Sequence, residues 1–314
     1  HRLPYCTLRN FHLKHVIQIN DPHPTLVIPE LTRILLHEEG YGWDEAWHIV
    51  THTVAYTNHT VLAEALEKWP QQLVESLLPR IWQLLVEISN RYQRELTDYF
   101  HGDMNKVEQM AIIWGGQVRM ANLCICACFK VNGVSALHSD ILKKDVFHEA
   151  YLRRPDQFTN VTNGIDHRRW LSECNPKLDS LIRDCLGGDG YLLNPDDLSG
   201  LEKFAGDAGV LSQLEEIKAE NKRAFAGYVA RESGILLNTD AIFDVQVKRL
   251  HEYKRQLLNV MHIIYLYQRL KRDPGFTFTP RVYLFGAKAA PGYAVAKEII
   301  HLINSVAATV NADP

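Results

Sequence analysis

The stretch VQVKRLHEYKRQ, residues 245–256, sets Lys248, Arg249, Lys254 and Arg255 close together, with His251 among them. An apolar, alternating run precedes it and an apolar helical pattern follows, so the cations crowd the point where a strand hands over to a helix. The positive end of a helix dipole repels a cation in the first turn by roughly 0.3–1 kcal/mol. Two arrangements resolve that conflict. An anion can sit at the turn, met by free backbone N–H groups and the side-chain cations together. Alternatively, Glu252 and Asp244 can tie down a solvated charged turn.

Other stretches carry weaker chemistry. FGAKAAPGY, 285–293, also ends a strand and opens a helix, but it matches neither the P-loop nor the dinucleotide-binding spacing. Its Gly286 and Gly292 fit either a loop that approaches a ligand or simple turn chemistry. NDPHP, 20–24, and YTNHT, 56–60, each set a histidine near asparagine, as a ligand or as a satisfied polar group. Cys124, Cys126 and Cys128 are spaced by two, which is no usual zinc motif, and only Cys124 and Cys128 would share a helix face. They read as buried thiols acting as small apolar residues, and no metal is expected.

The elements that must position these residues follow from periodicity. HVIQIN, 15–20, is a strand, ended by a turn at Pro22 and Pro24, with a helix starting near Thr25. From there to about residue 150 the pattern is mostly helical, as in Leu77, Ile81, Leu84, Leu85 and Ile88, with Pro79 expected to kink or restart a helix. The non-periodic segment 153–170 holds the Asn163-Gly164 turn signal and marks a domain boundary. Beyond it come a helix over 210–232 ending near Gly234, a strand over 242–247, a helix over 255–271, a strand over 281–285 and a helix over 293–306. That alternation predicts an α/β fold: a helix-rich first half and parallel βαβ units in the second. Ligands of such sheets bind outside the carboxyl ends of the strands, which is where 248–254 fall.

Bulk properties narrow the partners. A chain of 314 residues has room for two domains. A net charge of −3 gives no overall positive field for a polyanion, so nucleic acid is not an expected partner. No apolar run approaches a membrane span, and HRLPYCTLRNF at the start is no signal peptide, which together suggest a cytoplasmic protein. A first residue other than Met, and an end at a helix that should lead into another strand, suggest a piece of a longer chain.

Taken in order, QINDPHPTLVIPEL (18–31), AYTNHTVLAEALEKWP (55–70), VNGVSALHSDILKK (131–144), TNGIDHRRWL (162–171), DVQVKRLHEYKRQLLN (244–259) and AKAAPGYAVAK (287–297) resemble the α-glucan phosphorylase family of glycogen, starch and maltodextrin phosphorylases. The resemblance implies a glycosyltransferase-B-like architecture of two Rossmann-like domains with the site in the cleft between them. Residues 1–163 would be the C-terminal part of the glucan-side domain, and 164–314 the beginning of the cofactor and phosphate side. It implies phosphorolysis of a terminal α-1,4-linked glucose by inorganic phosphate, giving glucose 1-phosphate, with pyridoxal phosphate as cofactor. By the same resemblance Lys248 contacts the cofactor phosphate, while Arg249 and Lys254 hold the substrate phosphate. Tyr253 contacts the sugar, His59 and Asn163 bond the glucose 6-hydroxyl, Asp21 and His23 lie on the sugar side, and Trp170 helps wall the cofactor pocket. A homodimer is expected of the full-length protein.

The sequence departs from the family in places. Pro22 stands where many members carry threonine, and Asp166-His167 where many carry threonine-proline. No match is found for the cofactor-bearing lysine or for the glycine-rich loop of the first domain, so this chain by itself is expected to be inactive. Two rival readings are a nucleotide-sugar glycosyltransferase of similar architecture and a non-catalytic glucan-binding module.

Overall fold

A computed structural model describes residues 7–313; residues 1–6, part of the stretch read as no signal peptide, lie outside the described residues. The chain divides into two compact units, 1–165 and 166–314. It is helix-rich, with parallel strands in both units, and so is α/β.

The first unit runs α1 (Phe11–Lys14), β1 (Ile17–Asn20), α2 (Val27–Arg33), α3 (Trp43–Thr53), β2 (Val54–Thr57), β3 (Lys68–Pro70), α4 (Gln71–Leu77), α5 (Pro79–Tyr99), α6 (Met104–Met110), β4 (Ile113–Trp114), β5 (Gln117–Arg119), α7 (Met120–Ala127), β6 (Val131–Gly133), α8 (Ala136–Ile141), α9 (His148–Arg153) and β7 (Phe158–Asn160). Parallel pairing orders one sheet β1-β2-β6-β7, and an antiparallel sheet runs β3-β5-β4. The stretch from about residue 25 to 150 is mostly helical, as its periodicity suggested, and the short strands between the helices are what that periodicity did not show. Val54, Ala55 and Tyr56 of β2 are all buried, so the strand is covered on both faces and shows no alternation. Strands β3 to β7, of two or three residues each, are too short to show a period at all.

Helix α5 is the main wall of the core. Ile81, Leu84, Leu85, Ile88, Tyr92 and Leu96 recur at helical spacing on its buried face. Pro79 starts this helix, where a missing N–H breaks no bond, so it restarts the helix and does not kink it.

The second unit holds α10 (Pro176–Leu186), α11 (Ala208–Ser233), β8 (Ile242–Val247), α12 (Gln256–Arg272), β9 (Arg281–Gly286) and α13 (Ala294–Asn311). The Asp207 carboxylate caps α11 by accepting from Val210 N at 3.0 Å, and Gly234 ends it at φ 70°, a left-handed position that costs glycine little. Strands β8 and β9 pair in parallel from Ile242 beside Arg281 to Val247 beside Gly286. With α12 crossing between them they make the βαβ unit that the alternation predicted. Helix α13 extends past the expected end at 306, because VAATVN keeps good helix formers and apolar spacing to Asn311. Among the described residues no helix is long and apolar enough to cross a membrane.

Candidate functional site

In the first unit, four parallel strands end at one edge of the sheet, and the polar residues of interest follow those ends. Asp21 comes directly after β1. Its N–H donates to Thr57 O at 2.9 Å, and its φ is 62°. Its Oδ2 lies 3.8 Å from His23 Nε2, while its Oδ1 is buried with no hydrogen-bond partner. The other ring nitrogen of His23 pairs with Glu67 at 2.9 Å, and Glu67 also accepts from Trp69 Nε1 at 2.8 Å. After β2, His59 Nε2 sits 2.6 Å from Asn20 Oδ1. Beside it the buried Asn58 bonds Tyr56 OH and the N–H of Thr60, which fixes the loop that carries His59. After β7, Asn163 N–H donates to Val134 O at 3.0 Å.

These contacts make the edge a surface of amides, hydroxyls and imidazoles. Thr57 Oγ1 donates to Asn132 Oδ1 at 2.9 Å, and Ser139 Oγ donates to Asn160 Oδ1 at 2.7 Å. The edge thus offers donors and acceptors of the kind that hydroxyl groups pair with. His138 belongs with this edge and was missed from the sequence. Its Nδ1 accepts from Val134 N at 3.1 Å, which leaves Nε2 as the protonated nitrogen, buried without a partner. A lone histidine one helical turn into α8 gave no local signal.

In the second unit, Lys248 follows directly on β8. Its N–H donates to Gly286 O at 3.0 Å, and Leu250 N–H donates to Lys288 O at 3.1 Å, so the β8–β9 pairing continues into the loop. Leu250 is buried against Ala296 and Ile299 of α13 and anchors the loop's middle. The chain then makes a single tight turn over Glu252–Lys254 and enters α12 through Arg255 at φ 59°. Asp21 and Arg255 are two of the three non-glycine residues with positive φ among those described, so each candidate site carries a strained position.

The turn brings Lys248, Arg249, Tyr253 and Lys254 together. Lys254 Nζ stands 5.5 Å from the Tyr253 ring centroid. Among the described residues, none of Lys248, Arg249, Lys254 or Arg255 has a carboxylate within 4.0 Å. The two acids that might have neutralised them are engaged elsewhere. Asp244 pairs with Arg281 at 3.4 Å, and Glu252 Oε2 accepts from Tyr293 OH at 2.6 Å. A cleft of about 380 Å³ opens over the turn, lined by Arg249, His251, Tyr253, Lys254, Lys288 and Tyr293 among others. Of these, Lys288 and Tyr293 carried no assigned role in the sequence reading. They reach the cleft only because β9 pairs beside β8.

Trp170 is not drawn into this cluster. It is 62% exposed with the Arg169 guanidinium 6.0 Å from its ring centroid, and no hydrogen bond or ring contact among the described residues ties it to the cation turn. A larger cavity of this unit, about 770 Å³, lies between α11 and the sheet. Phe225, Phe243, Val245, Val247 and Leu284 dominate its lining, and it offers no cluster of groups for catalysis.

The thiols are structural. Cys124 and Cys128 are buried, and Thr25 Oγ1 lies 3.2 Å from Cys124 Sγ. Burial pushes the Cys126 thiol up to about 12 and Cys128 well above its ordinary value, so neither supplies a thiolate near neutrality. Among the described residues no three His, Cys, Asp or Glu side chains are arranged to hold a metal ion.

The carbohydrate phosphorylase family pattern matches residues 3–314. Glycogen phosphorylase of Bacillus subtilis (strain 168) is 49% identical over 314 residues, covering 100% of this chain and 39% of the relative. The muscle form of human glycogen phosphorylase is 47% identical over 304 residues, covering 96% of this chain and 36% of the relative, and the muscle form of Rattus norvegicus gives the same figures. The chain therefore spans less than two-fifths of the length of these relatives. With a match running almost from end to end and both polar clusters inside it, the chain belongs to the carbohydrate phosphorylase family.

Proposed function

We propose that the full-length protein containing this chain cleaves the terminal α-1,4-linked glucose of a glucan with inorganic phosphate and releases glucose 1-phosphate. The observation that carries the reading is the cation turn, whose lysines and arginines have no carboxylate partner among the described residues. Residues 1–163 would then be the end of a glucan-side domain and 164–314 the start of a phosphate-side domain, in a two-domain glycosyltransferase-B-like architecture. The likeness to glycogen phosphorylases supports a glucan as substrate. A cytoplasmic homodimer is the corresponding expectation for the whole protein.

The donor set also fits a second phosphate, that of pyridoxal phosphate. Lys248, at the carboxyl end of β8, would hold it, with Arg249 and Lys254 left for the substrate phosphate. When bound, this cofactor supplies a phosphate group able to give and take a proton beside the attacking phosphate. Trp170 as a wall of that pocket remains part of the proposal. Two unit charges of like sign about 4 Å apart repel by about 4 kcal/mol at an effective dielectric of about 20, so closely set phosphates require compensating cations. The same cations keep the attacking phosphate beside the sugar carbon, where it offsets the oxocarbenium-like charge of the transition state. Tyr253 contacts the sugar in this reading. Asp21, His23, His59 and Asn163 supply the hydroxyl-binding edge, with His59 and Asn163 on the glucose 6-hydroxyl.

Incubating the full-length protein with maltodextrin, with and without inorganic phosphate, tests this directly. Phosphate-dependent glucose 1-phosphate is expected. Transfer that needs a nucleotide sugar would replace the reading with a glycosyltransferase, and oligosaccharide affinity without turnover would leave a binding module.

A further inference from the structure

The cation turn is held by side chains that do not themselves face an anion. Glu252 is the one carboxylate between Val245 and Gln256, and it sits among four cations that it does not pair with. Tyr293, in the loop before α13, holds it instead. Tyr293 OH donates to Glu252 Oε2 at 2.6 Å, and Glu252 N–H donates back to Tyr293 OH at 3.3 Å. The clasp spans 41 residues of sequence and joins the turn after β8 to the loop after β9.

Amides deal with the backbone in a similar way. Gln256 Nε2 donates to Arg249 O at 3.2 Å, and Gln246 Nε2 donates to Lys254 O at 3.2 Å. Gln246 is set in turn by Asn259 Nδ2, which donates to its Oε1 at 2.9 Å. Gln256 is buried, and its Oε1 has no hydrogen-bond partner among the described residues, so its side-chain amide is engaged through Nε2. Each amide occupies a carbonyl whose partial negative charge would otherwise oppose an anion at the same turn. Arg255 at φ 59° is held by its own N–H to Glu252 O at 3.0 Å and by Asn259 N–H to its carbonyl at 3.1 Å.

We propose that Tyr293, with Gln246 and Gln256, is a positioning residue for phosphate capture: the hydroxyl keeps Glu252 off the cations and the amides keep two carbonyls of the turn occupied. The inference rests on the phosphorolysis reading and deepens it. Without the clasp, Glu252 is free to swing onto Arg249, Lys254 or Arg255 and compete with phosphate for the same charge. The competitor is internal and always present, so the effect falls on phosphate affinity and spares glucan affinity.

The test uses the full-length protein. Tyr293→Phe is expected to raise the KM for inorganic phosphate about ten-fold, with turnover at saturating phosphate and the KM for glucan within about two-fold of wild type. Adding Glu252→Gln should return the phosphate KM towards wild type, because the freed side chain then carries no charge. A merely structural role for Tyr293 predicts no such rescue. Gln256→Met, which keeps volume and removes the amide, should raise the same KM independently. In parallel, the rise in Tm caused by inorganic phosphate should shrink in Tyr293→Phe and recover in the double variant. That readout separates the two claims. If the wild type makes no glucose 1-phosphate, phosphorolysis fails while the phosphate-induced Tm shift still tests positioning. An unchanged phosphate KM and Tm shift in both Tyr293→Phe and Gln256→Met, or a loss that Glu252→Gln does not reverse, would overturn the proposal.

Discussion

Arg249 leaves β8 two residues after Val247, with its side chain exposed and its carbonyl bonded to Gln256. Removing the guanidinium takes away the charge that the proposed function assigns to the substrate phosphate, and it disturbs no packed group. Arg249→Ala in the full-length protein should therefore lower turnover by about a hundred-fold or more while leaving the unfolding transition in place. Steady-state kinetics alongside circular dichroism melting checks both halves. Gly133, at the end of β6, is the opposite kind of residue. A Cβ built there would lie 2.5 Å from Ser139 Oγ and 2.9 Å from the Ser139 backbone, so β6 or α8 must move to admit it. Gly133→Ala should cost about 1–3 kcal/mol by overpacking, read from urea unfolding. A variant as stable as wild type would mean that α8 gives way freely. The cation turn was legible because charge crowding at a strand–helix hand-over is a property of adjacent residues. Its Tyr293 clasp was not, because the partners meet only through the β8–β9 pairing.

Helix α1 packs on α3 through histidines. The His12 ring centroid lies 5.0 Å from that of His48 and 5.9 Å from that of His52, and those two lie 4.1 Å apart. Burial first, and then the neighbouring charges of His48 and His52, hold His12 below the ordinary imidazole value. Its folded value is the lower one, so the unfolded chain binds more protons in the window between the two. The stabilisation is complete above the unfolded value of about 6.5 and is lost as pH falls through the lower folded value. The Arg9–Glu45 pair, at 3.4 Å, links the same two segments. Amide exchange of residues 11–14, corrected for intrinsic rates, should accelerate as pH falls below the ordinary imidazole value of about 6.5, and His12→Gln should flatten that response. An equal acceleration in the variant would contradict the assignment. The second unit's elements were legible because β8 alternates, α12 is a long apolar helical run and β9 is a short apolar run of strand length. The first unit's sheet was not, because β2 is buried on both faces and β3 to β7 run for only two or three residues.

The two units differ in how fully their surfaces are covered. In the first, a single core gathers residues from Ile19 to Phe158. In the second, β8 leaves Val245 and Val247 exposed, α12 leaves Leu258, Met261 and Tyr265 exposed, and the apolar cavity beside α11 is open. Exposed apolar side chains of this kind favour association in water. The 314-residue chain made alone should therefore self-associate, whereas the full-length protein should not do so through these faces. Size-exclusion chromatography with light scattering distinguishes this from a stable monomer of 36.0 kDa. Phosphorolysis by the whole protein is read by phosphorus NMR of the full-length protein with maltodextrin and inorganic phosphate. An α-glucose 1-phosphate resonance should grow as phosphate is consumed, and its growth should slow about a hundred-fold in Arg249→Ala. Consumption of phosphate at the wild-type rate in that variant, or no glucose 1-phosphate from the wild type, would contradict it.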